Sequence, residues 1–470
     1  MNLTMVAFRA PGSRVTQLAL ACAMTASLLL GASPSMAQPV QTVADNAAAQ
    51  GTAMTLSQAY RAALEQDATI RAVRASTDAK RERLPQARAQ LLPNISASGS
   101  VNKNHLLALG QNGLADLTYS SSNRSLSIRQ PIFRPYQFAD YRQAEAQVAD
   151  ANASLDKETQ NVAVRVATAY LDALLAEDQL ALTAAQKTTF TTQLDATRKR
   201  FKAGVGVRTD IDDAQAKLDQ AVAQELQARQ NVAYTRRELQ VLVNAPVGKL
   251  APLDAARLKL VDPNPNRLED WVERAELTSP EVRSLEAQRD AARADIDKAK
   301  AGHLPTLDAV AQWSVARSDT VTTINARYDT RAIGLQLNVP IFAGGYNTSQ
   351  VRQSISNLEA TEQQLEALRR DLALRVEKQF RGVTEGVAQI RALEQAVRSA
   401  ETTLESNRKS YEGGVRTLVD VLNAEQQRVS AMRDLAQARY VYVLSRIQLQ
   451  ALTGEANEPV IEEANSWLKP

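Results

Sequence analysis

Phe201 to Gln215 reads FKAGVGVRTDIDDAQ, and Tyr411 to Gln426 reads YEGGVRTLVDVLNAEQ. Aligning the two stretches superimposes their glycines, Gly204 and Gly414, at an offset of 210 residues (414 − 204). The same offset pairs Val205 with Val415, Asp210 with Asp420, Ala214 with Ala424, Tyr170 with Phe380, and Leu239-Gln240 with Leu449-Gln450. The chain is therefore an internal duplication.

Each copy of this stretch lies between two long segments whose apolar residues recur at helical spacing. Because glycine adopts the backbone angles of a sharp reversal, the pattern predicts two helical hairpins with tips near 201–210 and 411–420. Residues 136–203 contain no Gly or Pro, and a continuous helix of that length would reach roughly 100 Å. In the second copy, Gly382 and Gly386 are expected to interrupt the helix; they would either loosen it or pack closely against a neighbour.

Four shorter segments alternate apolar with small or polar residues and predict strands at about 94–104, 119–131, 306–316 and 331–340. Strands of this kind are typical of an outer-membrane barrel, with a soluble sandwich as the alternative. Pairs of such strands between very long helices favour the barrel. Closure needs about eight strands, and open edges cannot face lipid, so several chains must share one barrel.

The first residues predict export. Arg9 and Arg14 precede an apolar run from 18 to 30, and Ser35-Met36-Ala37 follows with small residues at a cleavage site, so 1–37 is predicted to be a signal peptide. The one cysteine, Cys22, lies in this run, and the residues before it are not the leucine-led box of a lipoprotein signal. The mature chain would then have no cysteine and no disulfide.

The remaining organisation follows from composition. Residues 38–53 are a small, polar, flexible lead-in, 54–250 form the first repeat, and a proline-rich linker covers 251–266. The second repeat spans 267–456, and 457–470 form an acidic C-terminal tail to which the sequence assigns no structure. The predicted fold class is thus mixed, with long α-helices and transmembrane β-strands.

Charge and motifs exclude several classes of function. A net charge of +3 gives no reason to expect nucleic-acid binding. The two histidines, His105 and His303, lack the spacing of a metal site, and no nucleophile elbow or phosphate loop occurs. We therefore expect no enzyme activity, no catalytic residue, no cofactor and no metal.

The duplication, the strand pairs and both tip motifs together resemble the TolC family of outer-membrane efflux and secretion channels, over about residues 54–456. The phrases 130–133 (QPIF) and 339–342 (VPIF) that end each strand pair belong to the same resemblance. The resemblance implies a homotrimer in the lipid of the outer membrane, with a 12-stranded barrel continued by an α-helical tunnel in the periplasm. It also implies two partners, a periplasmic adaptor and an inner-membrane transporter of the ABC or proton-driven type, which open the tunnel at its tips.

The resemblance further assigns a periplasmic gate. Tyr411 and Arg416 match the family's gate residues, and Thr209 and Asp210 match their partners. An arginine can hold a carboxylate and a hydroxyl together and still release them. The alternative is that these residues, Thr209 and Asp210 especially, are helix caps.

Two further groups of residues carry expected roles. Asp420 matches the outer of two acidic positions that form pore selectivity rings in relatives, but Asn423 occupies the inner position. One ring of carboxylates instead of two predicts weaker cation selectivity. The hairpin tips, with Gly204, Val205, Gly414 and Val415, would be the docking point for the adaptor.

The function expected is a passive exit duct for type I protein secretion, for multidrug efflux, or for both. The closeness of the tip motifs to the family favours secretion slightly. The alternative from another class is a periplasmic adaptor or structural coiled-coil protein, which would also be exported and helical but would not need four lipid-facing strands.

Overall fold

The computed structural model describes residues 53–110, 113–319 and 323–469. The predicted signal peptide and nearly all of the predicted lead-in lie outside the described residues. The helices are α1 Leu56–Gln66, α2 Ala68–Arg81, α3 Arg83–Ala89, α4 Pro135–Lys202, α5 Arg208–Val243, α6 Leu268–Thr278, α7 Pro280–Ala301, α8 Tyr346–Glu412, α9 Leu418–Leu452 and α10 Glu458–Asn465. The strands are β1 Asn94–Gly110, β2 Gly113–Phe133, β3 Thr306–Arg317 and β4 Arg327–Asn338.

Two long helices organise the chain. Helix α4 has 68 residues and α8 has 67, and each turns at its end into a shorter antiparallel helix, α5 or α9. Helix α4 packs against α5, α7 and α9, and α8 packs against both α7 and α9. Within the described ranges, none of the helices combines the length and the apolar character needed to cross a membrane.

The expected interruption of the second long helix is wrong. Helix α8 runs through Gly382 and Gly386 without a break. A Cβ atom at Gly382 would lie 2.7 Å from the Oγ and 3.1 Å from the Cβ of Ser445 on α9. The glycines therefore allow close packing of α8 against α9, which was the other interpretation of the pattern.

The main core lies where the repeats join. The hydroxyl of Tyr170 lies 2.9 Å from the carbonyl oxygen of Met54 and accepts the N–H of Ala251 at 3.1 Å. The hydroxyl of Tyr442 lies 2.9 Å from the carbonyl oxygen of Val261 and accepts that residue's N–H at 3.1 Å. Both tyrosines are fully buried, so each long hairpin is tied to the proline-rich linker through a satisfied polar group.

The C-terminal tail is structured. Helix α10 lies within it, Trp467 and Leu468 are buried in the main core, and Leu468 forms a bridge with Leu253 of the linker. Apolar burial of these two side chains holds an otherwise acidic segment in place. Before the first strand, the helical segment is divided into α1, α2 and α3. The first break is at Asp67, which has an extended backbone and whose Oδ1 caps α2 by accepting the N–H of Thr69 at 2.8 Å.

The four strands form one antiparallel sheet in the order β1-β2-β3-β4. One side carries a ladder of serines, in which the hydroxyls of Ser96 and Ser127, and of Ser98 and Ser125, lie 2.7 Å apart. The other side is apolar and exposed, as at Ile333, which is 91% exposed. Strands β1 and β2 are longer than predicted and stay paired up to Gly110 and Gly113.

The close approach of α8 and α9 predicts that Gly382→Ala destabilises the protein. Its new methyl group overpacks against Ser445, at a cost of about 1–3 kcal/mol. The matched control is Gly386→Ala, where the nearest atom, Tyr442 Cδ2, is 3.4 Å away. There, alanine's helix propensity should stabilise by up to about 1 kcal/mol. Denaturant unfolding followed by circular dichroism should separate the two variants, and equal midpoints would contradict the packing.

Candidate functional site

Both long helices end in the same turn. Gly204 and Gly414 have φ of +78° and +76°, the left-handed conformation that favours glycine. After α4, the N–H of Gly204 donates to Phe201 O at 3.0 Å and that of Val205 to Arg200 O at 3.1 Å; after α8, Gly414 donates to Tyr411 O at 3.0 Å and Val415 to Ser410 O at 2.9 Å. This is the Schellman motif, repeated in both halves of the duplication.

The tips present apolar side chains to solvent. Val205 is 78% and Val415 is 84% exposed, and Val207 beside them is exposed as well. Exposed apolar side chains grouped at the end of a long hairpin are typical of a contact surface for another protein. The docking role of Gly204, Val205, Gly414 and Val415 stays a prediction.

The helices that return from the tips begin differently. Helix α9 opens with a capping box in which Thr417 Oγ1 accepts the N–H of Asp420 at 3.3 Å and Asp420 Oδ2 accepts the N–H of Thr417 at 3.0 Å. At the equivalent position α5 has Val207, which provides no side-chain cap. Thr209 and Asp210 lie inside the first turn of α5, so the helix-cap interpretation is wrong for them. The capping box of α9, formed by Thr417 and Asp420, was not predicted.

The carboxylate of Asp420 is stabilised in its ionised form. The hydroxyl and then the backbone N–H of Thr417 hydrogen-bond to it, and the guanidinium of Arg416 lies 3.8 Å away, so its pKa is lowered. Asn423 is exposed nearly one turn further along α9. The arrangement holds a negative charge at Asp420 and a neutral amide at Asn423.

Arg200 connects the two hairpins, although no motif in the sequence singles it out. Its guanidinium carbon lies 4.9 Å from the ring centroid of Tyr411, within cation–π range. Burial and then Asp213 raise the pKa of Asp210, whereas the positive charge of Arg200 lowers it. Arg200 is the last residue of the basic run 198–200. Basic residues are common at the C-terminus of a helix because they interact favourably with the helix dipole, so the run by itself does not indicate a gate.

The predicted gate residues are not bonded to each other in one chain. Among the residues that the structure describes, Arg416 pairs with Asp420 and Tyr411 contacts Arg200, and neither of them hydrogen-bonds Thr209 or Asp210. Arg200 thus contacts Tyr411 and acts on Asp210 through its charge alone, and Thr209 is not part of this group. Their role in gating stays a prediction.

A small apolar cluster joins the hairpins behind the tips. It contains buried side chains from α4, α5 and α9: Phe190, Leu194, Ala214, Ala221, Leu418 and Leu422. Beside it, Lys217 Nζ donates to Gln426 Oε1 at 2.8 Å. Relative movement of the two hairpins must therefore separate these contacts.

No cluster of three or more possible metal ligands occurs among the described residues.

Comparison with known proteins identifies the class. The profile of the family described as "Outer membrane efflux protein" matches residues 59–245 and 271–455. The chain is 34% identical to the alkaline protease secretion protein AprF of Pseudomonas aeruginosa, over 87% of this chain and 86% of that protein. It is 30% identical to the outer membrane protein TolC of Escherichia coli, over 88% of this chain and 85% of that protein.

The fold is that of solved outer-membrane channels. The structure of VceC from Vibrio cholerae superimposes with a TM-score of 0.73 at 18% identity, over 86% of this chain and 97% of that one. A duplicated chain with long helical hairpins and an exposed sheet is thus an outer-membrane export channel whose helices extend into the periplasm. The chain belongs to the outer membrane efflux protein family, of which TolC is a member. Membership confirms the predicted resemblance and favours a channel over an adaptor or structural coiled coil.

Thr417 and Val207 occupy equivalent positions before α9 and α5, and only Thr417 provides a cap. Exchanging the two residue types should therefore change the stability of the two helix starts in opposite directions. Thr417→Val removes the capping box, so the first-turn amides of α9 should exchange with deuterium roughly fivefold faster. The reciprocal Val207→Thr adds a cap to α5 and should slow exchange there. Hydrogen exchange read by mass spectrometry measures both, and unchanged exchange in Thr417→Val would contradict the cap.

Proposed function

We propose that three copies of this chain form one export duct. The observation that carries the proposal is the sheet: β1 and β4 are its edge strands within the described residues, and its apolar side is exposed. Pairing β4 of one chain with β1 of the next satisfies both edges. Three chains then close a 12-stranded barrel with its apolar side in lipid and its serine side in water.

The cargo we propose is polypeptide exported by an ATP-driven type I system. Two relatives similar over most of the chain are named for protease secretion, AprF at 34% identity and PrtF of Dickeya chrysanthemi at 29%. The second candidate is small-molecule efflux, which the family's description favours. In both cases a periplasmic adaptor would dock at the tips and an inner-membrane transporter would supply the energy.

The gate we propose consists of Tyr411, Arg416, Thr209 and Asp210, with Arg200 added. Arg200 already contacts Tyr411, and its charge acts on Asp210. In a closed trimer, bonds from Arg416 to Thr209 and Asp210 would complete the connection, and single charge-assisted hydrogen bonds at a solvated surface are weak enough to break on opening.

Capture of the partner distinguishes the two cargo classes. Cysteine at Lys202 or Glu412, both exposed beside the tips, would be the one thiol of the mature chain, because Cys22 lies in the predicted signal peptide. Crosslinking in cells should join the tips to an adaptor whose operon partner is an ATP-driven transporter. A proton-driven partner would favour efflux instead.

The matched control is Glu359→Cys, on the same long helix but far from the tip, which should capture no adaptor. If Glu359→Cys captures the adaptor as efficiently as Glu412→Cys, docking at the tips is wrong.

The single acidic ring predicts reciprocal changes in ion selectivity. In planar bilayers, Asp420→Asn should reduce the preference for cations, because it removes the ionised carboxylate from each chain. Asn423→Asp should increase that preference by adding a second ring. Reversal potentials in a salt gradient measure both effects, and a potential unchanged by Asp420→Asn would exclude Asp420 from the pore.

A further inference from the structure

The charged residues in the outer half of the four-stranded sheet lie on one side of it. In β2, β3 and β4 this half comprises residues 122–128, 311–317 and 327–333. It is the end of the sheet away from the helices, and because the helices extend into the periplasm, it faces the outside of the cell. Its charged residues are Arg124, Arg317, Arg327, Asp329 and Arg331.

The register of the strands assigns all of these residues to the apolar side, the side of Ile333. Directly paired residues of antiparallel strands share a side, and so do alternate residues of one strand. No charged residue of these three segments lies on the serine side, which carries Ser125, Ser314 and Thr330 at one level. Outward from Ile333, the residues of the apolar side are, level by level, Leu126, Trp313 and Arg331, then Arg124, Val315 and Asp329, then Ser122, Arg317 and Arg327.

Arginines on this side of a barrel wall require an explanation. A charge on the lipid side of a transmembrane barrel is destabilising, although less so toward the interface, whereas the serine side would offer it water. Trp313 is 46% exposed on the apolar side, and tryptophan is enriched at the level of the lipid headgroups. The arginines at this level and beyond it therefore lie among headgroups.

The protein supplies little negative charge to balance them. Asp329 Oδ1 accepts the indole N–H of Trp313 at 2.8 Å and lies 3.8 Å from Nε of Arg331, so this carboxylate is already engaged. The other three arginines form no ion pair and no side-chain hydrogen bond with any residue that the structure describes, and all three are exposed. Their charge is available to a partner outside the chain.

These three arginines are neighbours on the sheet. Arg317 and Arg327 stand directly opposite each other, an arrangement in which Cβ atoms are about 5 Å apart and like charges repel. Arg317 pairs with Ser122 on its other side, so Arg124 is its diagonal neighbour, about 7–8 Å away and within reach of long side chains. Arg124, Arg317 and Arg327, here called the arginine triad, can therefore contact one anionic group together.

We propose that the arginine triad binds the phosphate groups of a lipid in the outer leaflet of the outer membrane. Arginine holds phosphate through bidentate, charge-assisted hydrogen bonds, and three positive charges are best matched by a headgroup with more than one phosphate. Lipopolysaccharide, the phosphorylated glycolipid of that leaflet, has this chemistry. The site rests on the proposed function, because the barrel of the proposed trimer places the apolar side in lipid.

The residues below the triad favour a lipid over a soluble anion. Leu126, Ile128 and Ile333 continue the same side toward the helices, and Ile333 is 91% exposed. Acyl chains attached to the bound phosphates would lie along these side chains and cover them. The phosphates would also offset the repulsion between Arg317 and Arg327, so a bound lipid should stabilise the outer half of the sheet.

Native mass spectrometry of the detergent-purified protein tests the site, with diphosphoryl lipid A as the probe. The parent chain is compared with a triple variant that combines Arg124→Gln, Arg317→Gln and Arg327→Gln. Loss of three arginines that face lipid headgroups should weaken binding roughly a hundredfold. The matched control is Arg129→Gln, which changes an arginine of the same strand on the serine side and should bind lipid A as the parent does.

Two competitors separate the sources of phosphate. Inorganic phosphate in large excess should leave lipid A bound, and displacement by it would overturn the assignment to a lipid. Phosphatidylglycerol, which carries one phosphate, should bind more weakly than lipid A. Equal binding of the two lipids would overturn the assignment to the glycolipid.

The same spectra report the oligomeric state. Equal binding of lipid A by trimers of the parent and of the triple variant, or no binding by the parent, would overturn the site and leave the trimer intact. Arginine-dependent binding to a monomer would support the site and contradict the trimer. If the triple variant does not assemble, Arg317→Gln alone repeats the comparison and should weaken binding roughly fivefold.

Discussion

The backbone hydrogen bonds at the edges of a four-stranded sheet are the constraint on which this protein depends. A sheet with an exposed apolar side and two edge strands, β1 and β4, cannot remain alone in a membrane, since each unpaired backbone group costs several kcal/mol in hydrocarbon. In the proposed trimer, association of copies would satisfy the edges and bury the apolar side in lipid at once. The duplication supplies two strand pairs per chain and thereby sets how many copies a closed barrel needs.

The long helices carry the duplication from the linker region to the tips. Helices α4 and α8 are nearly equal in length, and each is anchored near the linker, where the buried hydroxyls of Tyr170 and Tyr442 bind linker backbone. The two hairpins differ where their returning helices begin. The start of α9 is capped at Thr417 and the start of α5 at Val207 is not, so the first turn of α9 is the more stable of the two.

Much of the fold could be predicted because its signals are local and strong. Glycine at a left-handed turn predicted both tips, and strict alternation predicted the four strands. The rest depends on contacts between distant segments. No periodicity shows that Gly382 meets Ser445, that Arg200 meets Tyr411, or that Trp467 enters the main core. The outer ends of β1 and β2, which stay paired to Gly110 and Gly113, were missed for another reason: polar residues stand on both sides of the strands there, so the alternation is lost and the segment resembles a polar loop.

The central claim is that the exposed edges of the sheet are closed by other copies of the same chain. Cryo-electron microscopy of the purified protein in lipid nanodiscs tests it directly. The account predicts three chains around one axis, a closed barrel of 12 strands, and β4 of each chain paired with β1 of the next. A single chain whose sheet closes on itself, or a barrel completed by a different protein, would contradict it.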